Sequence, residues 1–325
     1  MAKVKEQKRM SDANVLSLVA THAKVSAGTV SRVFNNSDLI SFDTRSRVLE
    51  AARELGFRPR VRVRNKQIAL VTEPPWKTLM GGYVNTVTQY ICYALSRVNA
   101  DITMITEDRI DNLADSWFDG IIGIAWEDRT IELLKEMKNL PIVWLSDNWS
   151  EYFHTVYLDA LETGKVAGNY LLGKGHKKIA VIHENDYTGE KRAEGVGCAL
   201  KAAGINPDLN LLGIDHNVPL HLAVKQLIDA GCTAVWVTGE DMKVIEVNWI
   251  IQELVGKQIP QDISIMGFEN PGISEFQRPS LTTIASPLHD MAEKAVEIVL
   301  RGETRKLEKI KMDVQLIERN SVRSI

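Results

Sequence analysis

Hydrophobic positions fall into two regimes along the chain, with the change near residue 67. Before it, Val15, Leu16, Val19 and Ala20 recur at helical spacing, and a polar pause THAK follows. Val30, Val33 and Phe34 then line one face of a second helix whose Gly28, Thr29, Ser31, Arg32 and Asn35 look outward, with Ser26 placed to cap it. A third helix starts at Ser41, with Val48, Leu49, Ala52 and Leu55 on its buried stripe and Gly56, then Pro59, as its stop.

From Ile68 onward, short apolar runs alternate with longer amphipathic stretches. The runs IALVT (68–72), ITMIT (102–106), GIIGI (120–124), IVWL (142–145), IAVIH (179–183), AVWVT (234–238), ISIMGF (263–268) and LTTI (281–284) predict strands. Helices are expected near 84–98, 129–138, 161–173, 190–203, 219–230, 242–256 and 287–300. Continuous apolar strands separated by helices belong to parallel sheets covered on both faces. Ligands of such sheets sit beyond the carboxyl ends of the strands, so the loops TEPPW, SDNW, TGED and FENP are the places to look. The fold class expected is α/β with a three-helix unit in front.

Length and composition narrow the class. A chain of 325 residues exceeds what one ordinary core supports and favours about two domains. No stretch approaches the roughly 18 uninterrupted apolar residues of a membrane span, and MAKVKEQKRM has no apolar core of a signal peptide, so a cytoplasmic protein without a membrane partner is expected. Cys92, Cys198 and Cys232 are far apart and form no CxxC pair, which suits a reducing compartment and excludes a disulfide framework or zinc site as an organising feature.

The net charge of −3 hides a strong asymmetry. Residues 1–66 carry 14 Lys+Arg against 6 Asp+Glu, whereas the remaining 259 residues carry 25 against 36. A basic end on an acidic body is expected where only one end meets a polyanion.

The run at 15–59 resembles the DNA-binding headpiece of the lactose-repressor (LacI/GalR) family. VSAGTVSRVFN (25–35) is similar to its recognition-helix signature, and ISFDTRSRVLEAARELGFRP (40–59) to the segment after it. GHKKIAVI (175–182), the R-x-x-G of Arg192 to Gly195, IPQDISIMGFEN (259–270) and PSLTTIASP (279–287) continue the resemblance through the body in order and spacing. It implies a helix-turn-helix headpiece (1–58), a basic linker or hinge (59–67) and a two-lobed, periplasmic-binding-protein-like effector core (68–325). One lobe would take about 68–156 plus 287–312 and the other 160–284 plus 313–325, with crossovers near 156–160, 284–288 and 312–316. It also implies a homodimer, on a double-stranded DNA operator, responding to a small molecule.

Physical reading of the headpiece agrees. A second helix with a polar outer face fits the major groove, where Ser26, Ala27, Gly28, Thr29, Ser31, Arg32 and Asn35 form the candidate DNA surface. Arg32 carries a fork suited to a guanine edge, and Thr29, Ser31 and Asn35 suit phosphates. Three departures from the family bear on this. Lys24 stands where the family has a glycine at a left-handed turn position; Ala27 and Gly28 occupy the variable base-reading pair with almost no side chain; and RVRVRNKQ (60–67) replaces the family's hinge, with Lys66 at the position of its leucine wedge. In an extended arm, Arg58, Arg60, Arg62 and Arg64 would align on one side, either entering a minor groove or contacting phosphates as a solvated tether.

Carried over position by position, the resemblance implies that Arg192 contacts the effector, that Glu269 stands at its ligand-binding aspartate, that Glu240 precedes the retained Asp241, that Ser146 replaces an aspartate, and that Asp159 is the acidic residue after the first crossover. Trp76 or Trp126 would supply an aromatic platform. Aromatic faces with directed carboxylates suit a saccharide, and the added glutamates equally suit an amine.

Two other functions compete. One is a small-molecule sensor with degenerate, weakly specific DNA binding, suggested by Gly28, Lys24 and the altered hinge. The other is an enzyme, which has little support: GNYLLGK (168–174) has P-loop spacing but Gly175 replaces the required Ser/Thr on an apolar helix, and no HExxH or GxSxG occurs. No catalytic residue, metal site or cofactor is expected.

Overall fold

A computed structural model describes residues 12–34, 39–55, 57, 65–75, 82–98, 100–137, 139–146, 148–184, 186–207, 218–239, 242–302, 304 and 306–325. Among them the chain forms helices α1 (Asp12–His22), α2 (Ala27–Phe34), α3 (Phe42–Glu54), α4 (Tyr83–Ser96), α5 (Asp128–Lys135), α6 (Ala160–Gly173), α7 (Tyr187–Ala202), α8 (Leu220–Asp229), α9 (Lys243–Trp249) and α10 (Leu288–Arg301). The strands are β1 (Lys66–Thr72), β2 (Ala100–Thr106), β3 (Gly120–Ile124), β4 (Ile142–Trp144), β5 (His154–Leu158), β6 (Ile179–Ile182), β7 (Ala234–Val237), β8 (Ser264–Phe268), β9 (Thr282–Ala285), β10 (Lys309–Met312) and β11 (Gln315–Ile317). Two compact units result: Met1–Pro74 with Cys92–Val143 and Val296–Leu307, and Pro75–Ile91 with Trp144–Ala295 and Glu308–Ile325.

The first unit contains α1–α3 and a parallel sheet in which β1 lies between β2 and β3, with Ile68 opposite Ile102 on one side and Gly120 on the other. Every residue of β3 is buried, as a strand covered on both faces requires, whereas β2 alternates and leaves Met104 half-exposed. Between β2 and β3 the sequence EDRIDNLAD (107–115) forms a 3-10 stretch bent at Arg109, with Ile110 and Leu113 buried three residues apart. That spacing matches three residues per turn.

The second unit has the sheet order β11-β9-β8-β7-β6, parallel from β6 to β9 with β11 antiparallel to β9, and β10 pairs in parallel with β5 at the edge of the sheet ordered β10-β5-β4-β3-β1-β2. Helices α6 and α7 pack through glycines. A Cβ added at Gly164 would lie 2.0 Å from the Arg192 carbonyl oxygen, and one at Gly195 2.2 Å from that of Leu161. The R-x-x-G spacing therefore has a packing reason: Gly195 lets α7 approach α6 backbone to backbone, fixing the turn that carries Arg192. The glycine-lysine run at 168–174 lies largely in α6.

Several expectations need correcting. Leu55 follows α3 and is exposed, and the buried stripe of that helix is Val48, Leu49, Ala51 and Ala52. The helix expected over 242–256 is α9 followed by a π-helical turn, Ile250–Leu254. β1 begins at Lys66, so the last two residues of the linker expected over 59–67 belong to the strand, and β10 (Lys309–Met312) lies ahead of the crossover expected near 312–316.

Buried His176 ties α6 to the carboxyl-terminal segment. Its Nε2–H donates to the Arg323 carbonyl (3.0 Å), which leaves Nδ1 of the neutral ring to accept from the Thr233 hydroxyl (3.0 Å). Burial holds its pKa below the ordinary 6.5. The folded state thus prefers the neutral ring, so this contribution is fully present above about pH 6.5 and is lost as pH falls below it. Urea unfolding between pH 7.5 and 5 is expected to show a stability loss of up to about 1.4 kcal/mol per pH unit that is shallower in His176→Gln; identical slopes would remove His176 as the cause.

Candidate functional site

The amino-terminal unit is built to present one polar helix face. Val30, Val33 and Phe34 anchor α2 in a core with Val19, Ala20, Ala23, Val48, Leu49, Ala51 and Ala52. Ser26 caps the helix, its Oγ accepting the Thr29 amide proton at 3.0 Å. Lys24 adopts φ 54°, so the left-handed position the family fills with glycine is here occupied by lysine. Ser26, Ala27, Gly28, Ser31 and Arg32 are exposed and Thr29 half-buried, so these six stand together on the outer side. Asn35, Arg60, Arg62 and Arg64 lie outside the described residues.

Gly28 has no packing reason. A Cβ there would meet nothing closer than Ser26 Oγ at 3.7 Å. Gly28→Ala is therefore expected to stabilise the headpiece by about 1 kcal/mol, read as a rise in its thermal midpoint. If the same change weakened DNA binding, the missing side chain would serve close approach to DNA; no rise in the midpoint would mean the position is strained.

The effector candidates are spread. Trp76 and Glu240 lie outside the described residues. In the first unit, Trp126 follows β3 and is 37% exposed, with its amide donating to Glu107 Oε1 (3.0 Å). In the second unit, Ser146 lies just past β4 and is partly exposed. Asp159 caps α6 through the Glu162 amide (3.0 Å) and faces Lys311 Nζ at 3.7 Å. Arg192 is buried at the carboxyl ends of β7 and β8: it donates to the Thr238 carbonyl at 2.7 Å, and its guanidinium lies 4.2 Å from the centre of the Phe268 ring.

Glu269 is the best-positioned of the set. Arg319 grips it with two parallel hydrogen bonds, Nη1 to Oε2 (2.8 Å) and Nη2 to Oε1 (2.9 Å), and the Thr283 hydroxyl donates to Oε2. The hydrogen bond to Glu269 raises the Arg319 pKa further above its ordinary value. Glu269 also lines a pocket of about 200 Å³, with Tyr83, Thr86, Tyr90, Asn270, Ser286 and His289 among its other walls. Tyr90 and His289 meet edge to face at 5.5 Å, and Tyr83 Oη donates to the Leu145 carbonyl at 3.2 Å. Arg192, Asp159 and Ser146 are not among the residues lining it.

Sequence reading missed the α4 wall of this pocket. Its signal was a polar face of Tyr83, Thr86 and Tyr90 at steps of three and four residues, beside the buried stripe of Val87, Ile91 and Leu95. Of Val84, Val87, Ile91 and Leu95, which the sequence offers for either core or dimer contact, the last three are core and Val84 is partly exposed. The pocket's acceptors and donors, flanked by aromatic rings, suit a small hydroxylated molecule.

Comparison with known proteins agrees with the two-part organisation. Residues 15–60 match the family model for bacterial regulatory proteins, lacI family, and residues 169–322 match the periplasmic binding protein-like domain. The chain is similar to the HTH-type transcriptional repressor CytR of Escherichia coli (strain K12), 28% identical over 98% of this chain and 99% of that one. It is 27% identical to the HTH-type transcriptional repressor PurR of Klebsiella pneumoniae subsp. pneumoniae, over 94% and 95%. Among solved structures it resembles the transcriptional regulator CelR in complex with cellobiose, with TM-score 0.68, 25% identity and coverage of 94% and 99%.

Proposed function

The chain belongs to the lactose-repressor (LacI/GalR) family of bacterial regulatory proteins, and from that premise we propose a cytoplasmic, homodimeric repressor whose grip on an operator is set by a saccharide bound at Glu269. As a member of the family it is a DNA-binding transcription regulator and not an enzyme. In this reading residues 1–58 read DNA, the basic connection runs from 59 to the start of β1 at Lys66, and the rest of the chain senses the ligand. The exposed face of α2, with Arg32 above a buried row of Val30, Val33 and Phe34, carries the DNA assignment.

A saccharide is favoured over an amine because the Glu269 carboxylate already has its counter-ion in Arg319, while its oxygens retain lone pairs for hydroxyl donors. Arg192, Asp159, Ser146, Trp126, Trp76 and Glu240 complete the proposed effector set. A ligand that favours one of two states would shift the balance between them without a chemical step. Two headpieces engaged together supply the affinity that one short helix lacks.

Footprinting on genomic fragments tests this: a protected pseudo-palindrome, released or tightened by a neutral sugar such as cellobiose or ribose but not by amines, is expected. Sedimentation of a monomer at micromolar concentration would sink the dimer. The second reading, a sensor whose headpiece binds DNA without much specificity, is favoured by the side-chain-free Ala27 and Gly28; uniform weak protection would support it.

A further inference from the structure

The headpiece does not close its own core. Phe34 of α2 and Phe57 after α3 meet at 5.5 Å, and Trp117 from the segment before β3 covers them, edge-on to Phe34 at 5.2 Å and 8% exposed. Arg53 of α3 donates to the carbonyls of Leu113 (3.1 Å) and Ser116 (3.3 Å) in the same stretch. The other end of that stretch is fixed to a different place. Glu107, 1% exposed, accepts the amide protons of Trp126 (3.0 Å) and Glu127 (2.6 Å), in the loop leaving the carboxyl end of β3. One segment, 107–117, thus holds the headpiece with its last residues and the loop after β3 with its first.

We propose that Trp117 is a positioning residue for the DNA-reading helix, and that segment 107–117 couples the headpiece to the 126–127 loop. The inference rests on the DNA-binding reading above. With no leucine anywhere in the basic run RVRVRNKQ (60–67) and β1 already begun at Lys66, such a packed route has a task the hinge would otherwise perform. Coupling between two sites is reciprocal, so DNA on the headpiece must alter the loop by the factor with which a ligand at the loop alters DNA binding. The effector need not be known to measure it.

The amides of Trp126 and Glu127 are the reporters, because protons held by a buried carboxylate exchange only when the contact opens. Hydrogen exchange of the full chain is measured with and without a random-sequence duplex at low salt, with fluorescence anisotropy confirming occupancy. In the parent, DNA should change exchange at both amides by about fivefold or more. Trp117→Phe should keep the change, since the indole N–H has no acceptor among the described residues. Trp117→Ala and Arg53→Ala should still bind DNA, yet the change should fall below about twofold. Should Trp117→Ala fail to fold, Arg53→Ala, which removes the hydrogen bonds to the Leu113 and Ser116 carbonyls, makes the comparison. DNA-bound parent with unaltered exchange at 126 and 127, or an equal change in folded variants, overturns the coupling and leaves the regulator reading standing. A parent that does not bind DNA overturns both.

Discussion

Replacing Arg319 with alanine is expected to destabilise the second unit by about 3–5 kcal/mol, the largest effect of any single side-chain truncation considered for this chain. The side chains of Arg319 and Glu269 are only 17% and 12% exposed, so the pair is largely desolvated. Removing the guanidinium leaves a carboxylate with the Thr283 hydroxyl as its remaining donor from this group, and strips the Leu281 carbonyl of the Arg319 Nη1 bond at 2.7 Å. A buried charge without its counter-ion is costly, whereas removing both charges together is often close to neutral. The double change Glu269→Leu with Arg319→Met should therefore recover most of the loss. Urea denaturation midpoints of the parent, the single and the double variant decide the matter. A single-variant loss under about 1 kcal/mol would place the pair with solvent-exposed ion pairs and weaken the argument that Glu269 is neutralised before a ligand arrives.

Arg319 also shows where sequence reading stops. Glu269 was singled out because the family resemblance places a ligand-binding aspartate there, after a strand run, but its partner lies 50 residues on in a stretch of mixed pattern, QLIERN, that predicts nothing about a buried fork. Runs such as GIIGI and IAVI were legible as strands because burial on both faces leaves no polar alternation to misread. Strand β10, KIKM, has half its residues exposed and gave no such signal. Ser26 was legible as a cap because a short hydroxyl before an apolar face does one local job. Trp117 was not, because its contacts with Phe34 and Phe57 join residues about 60 to 80 positions apart, and no periodicity records a contact of that range. Leu55 failed for a related reason: it falls on the helical stripe by count, but α3 ends at Glu54, and Phe57 takes the core position instead.

Arg32→Ala is expected to reduce discrimination between operator and random DNA by about 10- to 100-fold, corresponding to roughly 1–3 kcal/mol for one forked contact with a base. Arg32 sits in the last turn of α2, exposed, one residue before the buried Val33 that fixes the helix. Its neighbours Ala27 and Gly28 offer the grooves almost nothing, so specificity has few other side chains to rest on. Arg62→Ala with Arg64→Ala should act differently. Each arginine that neutralises a phosphate adds about 0.9 to the slope of log affinity against log salt, so the double variant should flatten that slope by roughly two and weaken all sequences alike. Lys66 begins β1 and its Nζ donates to the Leu300 carbonyl, so it supplies no wedge to unstack a base step, and bound DNA should bend little. A salt series on operator and random duplexes for both variants, with bending measured for the parent, separates the outcomes. Loss of sequence preference in the arm variant with little effect of Arg32→Ala, or a sharp kink in parent-bound DNA, would move recognition from the second helix to the arm in the minor groove.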